Sequence, residues 1–285
     1  AQDPRFEASG EGGMSEDCLY LNVTAPRDAR DLPVMVWFHG GAFTILTGNS
    51  RSYNNVDALT TKGVVLVTVN HRLGPFGYVH HPLLVEDSTY GGSGNYGQLD
   101  LVKALEWVKQ NIAAFGGDPG KVTIFGQSGG CGKVSSLMIS PLAKGLFQRA
   151  ACHSGSSAIP AEATKQSVIA AAEEVGKALF TRIGASSVQA ARALPWTAIV
   201  QADIDASIPR ETYRPAIDNH YLSKTFYDSV KDGQESDVPL MIGSTNGDYP
   251  WLRTGLRDVM PFRGQYSKSK IYVFKFSRVP AGWAE

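Results

Sequence analysis

Residues 122–130 read Val122-Thr-Ile-Phe-Gly126-Gln127-Ser128-Gly129-Gly130. An apolar run enters a G-x-S-x-G core, and a helical pattern follows it. Strand, tight turn and helix, in that order, make the setting of a nucleophile elbow. Glycines on both sides of the serine let strand and helix approach closely. The helix that follows would aim its N-terminal N–H groups at Ser128, where they favour a developing oxyanion. A glycine-rich turn with an incidental serine shares the same five letters. The flanking strand and helix separate the two readings.

Outward from the elbow, apolar runs alternate with helical patterns, the signature of a sheet flanked by helices. Strands are predicted at Cys18–Thr24, Pro33–Phe38, Val64–Asn70, Lys121–Gly126, Arg149–His153, Pro239–Gly243 and Lys270–Phe276. Val34–Phe38 and Val64–Val69 are apolar at nearly every position, as in parallel strands covered on both faces. A helix is predicted over Gln98–Phe115, with Leu99, Val102, Leu105, Val108 and Ile112 forming one buried stripe. It ends at Gly116-Gly117, ahead of Asp118-Pro119. A second helix begins near Gly129, and a third covers Ala161–Phe180. Residues 181–237 read as shorter helices and loops, and no linker interrupts the pattern. The prediction is one α/β domain over residues 1–285, with a mostly parallel central sheet.

The chain has 285 residues, enough for a sizeable core. Lys plus Arg and Asp plus Glu each number 27, so no net field favours nucleic acid or an anionic membrane. The cationic residues are scattered, which argues against a nucleic-acid partner. No run of about 18 apolar residues predicts a membrane span. Ala1-Gln-Asp-Pro-Arg5 does not read as a signal peptide. Cys18, Cys131 and Cys152 form no C-x-x-C pair, so neither a zinc site nor a redox compartment is implied.

Two further glycine clusters bear on function. His39-Gly40-Gly41-Ala42-Phe43 follows a predicted strand and precedes the elbow in chain order, as an oxyanion loop does. In isolation it would read as a plain Gly-Gly turn. Gly92-Ser-Gly94-Asn-Tyr-Gly97 fits the dinucleotide pattern G-x-G-x-x-G. The segment before it, His80–Tyr90, is polar and broken by Pro82 rather than a strand, so cofactor binding is not expected there.

Together these residues resemble the type-B carboxylesterases, a family that includes cholinesterases and the non-catalytic neuroligins. Four stretches carry the resemblance: Glu16–Val23, His39–Phe43, Asn70–Gly74 with Phe76-Gly77, and Gly94-Asn-Tyr-Gly97 through Gly130. It runs from about Glu16 to Tyr249 and resumes at Lys270–Phe276. Gln127, Gly129 and the following Lys133-Val134 look like the bacterial branch. The resemblance implies an α/β-hydrolase fold and ester hydrolysis, with Ser128 as nucleophile. It implies oxyanion donors at the N–H groups of Gly41, Ala42 and Gly129. It also places the triad acid at Asp248, after the strand Val238–Gly243; read alone, Asn246-Gly247-Asp248 is also a turn. The implied substrate is a small-molecule ester, with no cofactor and no metal.

The sequence also departs from the family. The family's base is a histidine well after the strand Lys270–Phe276, whereas no histidine follows His220. N-terminal, C-terminal and helical-insert segments of the family fold are expected to be missing from these residues. His39, His71, His80, His81, His153 and His220 each read better as packing, loop or turn residues, so the general base is left unassigned. Without one, Ser128 would be a weak nucleophile. That opens the alternative of a non-catalytic binding module or inactive fragment on the same fold. Cys18 aligns with a family half-cystine or is an ordinary thiol. Cys131 reads as packing at the helix start.

Overall fold

Neither Val34–Phe38 nor Val65–Val69 has a polar face to leave in water, and the two become adjacent parallel strands inside one sheet. The structure, a computed structural model, describes residues 14–50, 56–157, 165–209, 212–249 and 260–278. Its strands are β1 (Leu21–Thr24), β2 (Leu32–Phe38), β3 (Val65–Val69), β4 (Gly117–Gln127), β5 (Arg149–His153), β6 (Leu240–Thr245) and β7 (Ile271–Phe276). They lie in the order β1-β3-β2-β4-β5-β6-β7, with β1 antiparallel and every other pairing parallel.

This order positions the site. From β2 the chain moves outward to β3, and from β4 it moves the opposite way to β5. The connections leaving the carboxyl ends of β2 and β4 therefore diverge and open a crevice between them. Open α/β sheets bind ligands at such switch points. The paired registers Phe38↔Gly126 and Gln127↔His153 bring the ends of β2, β4 and β5 level at this edge.

Helices cover the sheet. Those used below are α1 (Tyr96–Asn111), α2 (Gly129–Ile139), α3 (Lys165–Arg182), α4 (Val188–Arg192), α5 (Trp196–Asp205), α6 (Phe226–Lys231) and α7 (Met260–Tyr266). The first four residues of the predicted third helix, 161–164, lie outside the described residues. The predicted first helix splits: α1 stops at Asn111 and a 3-10 turn runs over Ile112–Phe115 to Gly116 at φ 78°. Its expected buried stripe holds at Val102, Leu105, Val108 and Ile112. Leu101 is fully buried beside Val102, Leu105 and Val108, whereas Leu99 is only half-buried. The helix lies in a deeper groove than a single amphipathic stripe requires. Each fully buried aliphatic side chain there contributes about 1.5–3 kcal/mol.

The glycine-rich Gly92–Gly97 segment is preceded by the helical turn Pro82–Glu86, not by a strand. Its buried Asn95 exchanges two hydrogen bonds with Ala216, at 2.8 and 3.0 Å. The segment ties α1 to the downstream loop. Arg72 does the same for the Asn70–Gly74 motif, pairing with both oxygens of Asp100 at 2.6 and 2.9 Å. Nearer the β7 edge Arg263 of α7 is buried against Glu235 at 2.8 Å.

Candidate active site

Ser128 stands between β4 and α2 with φ 57° and ψ −122°, a backbone conformation costly for a residue with a Cβ. Three hydrogen bonds hold it there. Its N–H donates to the His153 carbonyl at 3.0 Å, and its own carbonyl accepts from Cys131 N at 2.9 Å and Gly132 N at 3.4 Å. Helix α2 can start this close to the end of β2 only because Gly130 has no side chain: a Cβ there would collide with the Phe38 carbonyl. Gly129 is the first residue of α2, so its N–H has no acceptor within the helix.

The loop after β2 faces this helix start. Gly41 and Ala42 take consecutive positive φ values of 77° and 51°. The Gly41 carbonyl accepts from Thr44 N and Ile45 N, each at 3.2 Å, and the Phe43 carbonyl accepts from Gly74 N at 2.8 Å. Gly129 presses so closely on Ala42 that a Cβ at Gly129 would lie 2.7 Å from Ala42 N. Among the described residues the N–H groups of Gly41, Ala42 and Gly129 have no acceptor. Three open donors thus sit around the turn that carries Ser128, at the positive end of α2.

Asp248 lies beyond β6, in a turn where its Oδ2 accepts from Thr245 N at 2.7 Å. It is on the same edge of the sheet as Ser128, and β5 separates β6 from β4. Two strand spacings amount to roughly 10 Å.

No histidine reaches Ser128 among the described residues, which include all six. The His153 carbonyl meets Ser128, but its ring packs on Phe274 at 5.4 Å, and burial lowers its pKa. His39 Nδ1 donates to the Gly40 carbonyl at 2.9 Å, and its ring lies 4.7 Å from that of His71. Burial first, and Lys133 second, hold both of these imidazoles neutral, with pKa values well below the ordinary one. His80 sits 2.8 Å from Ser93 Oγ. His81 caps the Pro82–Glu86 turn and stacks on Phe180, and His220 stacks on Tyr90. Cys131 is fully buried at the start of α2, and all three thiols are free.

One residue of the site escaped the sequence reading. Lys133 is completely buried in α2, and its Nζ donates to the His39 carbonyl at 2.8 Å. Its signal was present: a lysine on a face otherwise made of Val134, Leu137 and Met138.

Among the described residues no group of three or more His, Cys, Asp or Glu is placed to hold a metal ion, and no helix is long and apolar enough to cross a membrane. The sheet order, the strained serine at a helix N-terminus and the glycine loop facing it define an α/β-hydrolase fold with a nucleophile elbow.

Comparison with known proteins makes the class specific. A family model described as the carboxylesterase family matches residues 1–276, and the chain belongs to that family. It is 38% identical over 240 residues to the para-nitrobenzyl esterase of Bacillus subtilis, covering 82% of this chain and 48% of that protein. It is 38% identical over 242 residues to the fumonisin B1 esterase of Sphingopyxis macrogoltabida, covering 83% and 43%. A solved para-nitrobenzyl esterase superposes with TM-score 0.72 at 36% identity, over 81% of this chain and 49% of that one. A Geobacillus stearothermophilus carboxylesterase gives 0.77 at 28% identity, over 95% and 67%. The chain spans about half the length of the curated relatives it matches.

Proposed function

We propose that the protein containing these residues is a serine carboxylesterase that hydrolyses small-molecule esters through an acyl-enzyme on Ser128. The observation that carries this reading is the set of three open N–H groups, on Gly41, Ala42 and Gly129, around a strained serine. Ser128 Oγ attacks the ester carbonyl and gives its proton to a histidine. The three N–H groups receive the oxyanion as it forms, which is where such donors contribute most. The alcohol leaves with the proton. Water then attacks the acyl-serine, releasing the acid and restoring Ser128. Asp248 orients the histidine and stabilises its cation. An interposed imidazole fits the two-strand gap between the two side chains. That histidine is supplied from outside these residues, since each of the six present is engaged elsewhere.

The absence of a histidine at Ser128 favours a second reading, a binding module on the same fold. Covalent labelling by a fluorophosphonate separates the two. The full-length protein labels at Ser128, and Ser128→Ala abolishes both labelling and ester turnover. Wild type that neither labels nor turns over a p-nitrophenyl ester leaves the binding module standing.

A further inference from the structure

We propose that Lys133 is a positioning residue of the oxyanion loop: its Nζ grips the backbone carbonyl of His39, with a longer contact to that of Gly40, and so holds the loop that carries the Gly41 N–H against the helix of Ser128. The inference deepens the esterase reading and rests on it.

Lys133 Nζ lies 2.8 Å from the His39 carbonyl and 3.5 Å from that of Gly40, with the Phe43 ring 5.5 Å away. All three partners belong to the one loop that follows β2. The hydrogen bonds of that loop sort by direction. The carbonyls of His39, Gly40, Gly41 and Phe43 are all held from within the protein, while the N–H groups of Gly41 and Ala42 are left open. A peptide plane has two ends, so fixing the Gly40 carbonyl, which His39 Nδ1 meets at 2.9 Å and Lys133 Nζ at 3.5 Å, presents the Gly41 N–H on the other side, while the Ala42 N–H is set by the Gly41 carbonyl that Thr44 N and Ile45 N hold. Lys133 also belongs to the first turns of the helix that carries Ser128 and Gly129. One side chain therefore ties the start of the loop to the helix that carries Ser128 and Gly129.

A fully buried lysine without a carboxylate is a poor choice for stability alone, because burial disfavours its charge. Burial here lowers its pKa to about 7. The titratable groups facing it, His39 and His71, are both held neutral. The neutral amine keeps two N–H donors, one for each carbonyl, so the grip does not depend on the proton.

The test compares wild type, Lys133→Met and Lys133→Arg in the full-length protein. For a p-nitrophenyl ester, Lys133→Met should lower kcat about 10²-fold, the scale of losing an oxyanion donor, with KM little changed. Affinity for a trifluoromethyl ketone should fall in step with kcat/KM, and Lys133→Arg should recover part of both. Hydrogen exchange of residues 39–45 should speed up in Lys133→Met without any global loss of protection. Should that variant fail to fold, Lys133→Gln, which retains a single donor, is put through the same measurements. An active wild type whose Met variant keeps its kcat and ketone affinity overturns the role of Lys133. Inactive wild type with a loosened loop overturns the esterase reading while the grip stands. An unchanged exchange rate over residues 39–45 overturns the grip itself.

Discussion

Gly126→Ala perturbs the site through one methyl group. Gly126 is the penultimate residue of β4, two residues before Ser128, and pairs with Phe38 on one side and Cys152 on the other. A Cβ at this position would stand 2.5, 2.6 and 2.8 Å from the carbonyl carbon, oxygen and Cα of Gly130. All three are backbone atoms of α2, so no rotamer change relieves the clash. Favourable carbon contacts begin near 3.5 Å, and the start of the helix must retreat by roughly 1 Å. Overpacking of this kind costs about 1–3 kcal/mol. The same retreat separates Gly129 N and Ser128 from Ala42, and a misplacement of about 1 Å costs about 10² in rate. The assay is the second-order rate constant for fluorophosphonate labelling of Ser128, with a thermal melt alongside. Gly264→Ala in α7 is the control, because a Cβ there meets nothing within 4 Å. It should label and melt like wild type or slightly better. A Gly126→Ala variant that labels within twofold of wild type and melts at the same temperature would refute the reasoning, since the strand–helix contact would then not fix the nucleophile.

Two further outcomes follow from the same geometry. Asp248→Asn keeps an oxygen able to accept from Thr245 N, so its Tm should hold, yet kcat should fall by about 10²–10⁴ if the carboxylate orients the base; unchanged kcat removes Asp248 from the triad. Lys133 has a folded pKa of about 7 against an ordinary 10.5, so its contribution to stability is complete above the upper value and is lost as pH falls through the lower one. Between them the unfolded chain holds the extra proton, and stability should rise with pH by at most about 1.4 kcal/mol per unit. Urea unfolding at pH 7 and 9 should show wild type gaining about 1–3 kcal/mol on Lys133→Met, and a gap independent of pH would mean that Lys133 is not buried.

The fold was legible where the signal is local. Residues 65–69 are apolar apart from Thr68 and are buried at all five positions, because a strand covered on both faces needs no alternation. The Arg149–His153 strand falls where it was read. The boundaries that moved did so for tertiary reasons. Strand β4 starts at Gly117 instead of Lys121 because Gly117 pairs with Leu32 before a register shift, which the sequence between them does not announce. Leu101 joins the core while Leu99 packs at its edge, because the neighbouring elements, not the helix period alone, decide how deep a helix sits. The Asp203–Tyr213 hydrogen bond of 2.6 Å, buried under α5, likewise joins segments whose separate sequences give no sign of it.

The same division runs through the site. The elbow is spelled by five adjacent residues because a tight turn is a local object. The loop grip is not, since Lys133 and His39 lie 94 residues apart and meet only once β2 and β4 are paired. What the structure adds is the cost of the arrangement and its location. Ser128 and Ala42 hold left-handed φ values, three N–H groups go without acceptors, and a lysine is buried without a carboxylate. Each departs from what stability alone favours, by an amount on the order of 1–3 kcal/mol. These departures share one crevice edge. A surface kept only for binding gains nothing from open donors beside a strained serine. A reaction that builds negative charge beside Ser128 uses all of them at once. That combination supports catalysis over binding even though none of the six histidines here reaches Ser128.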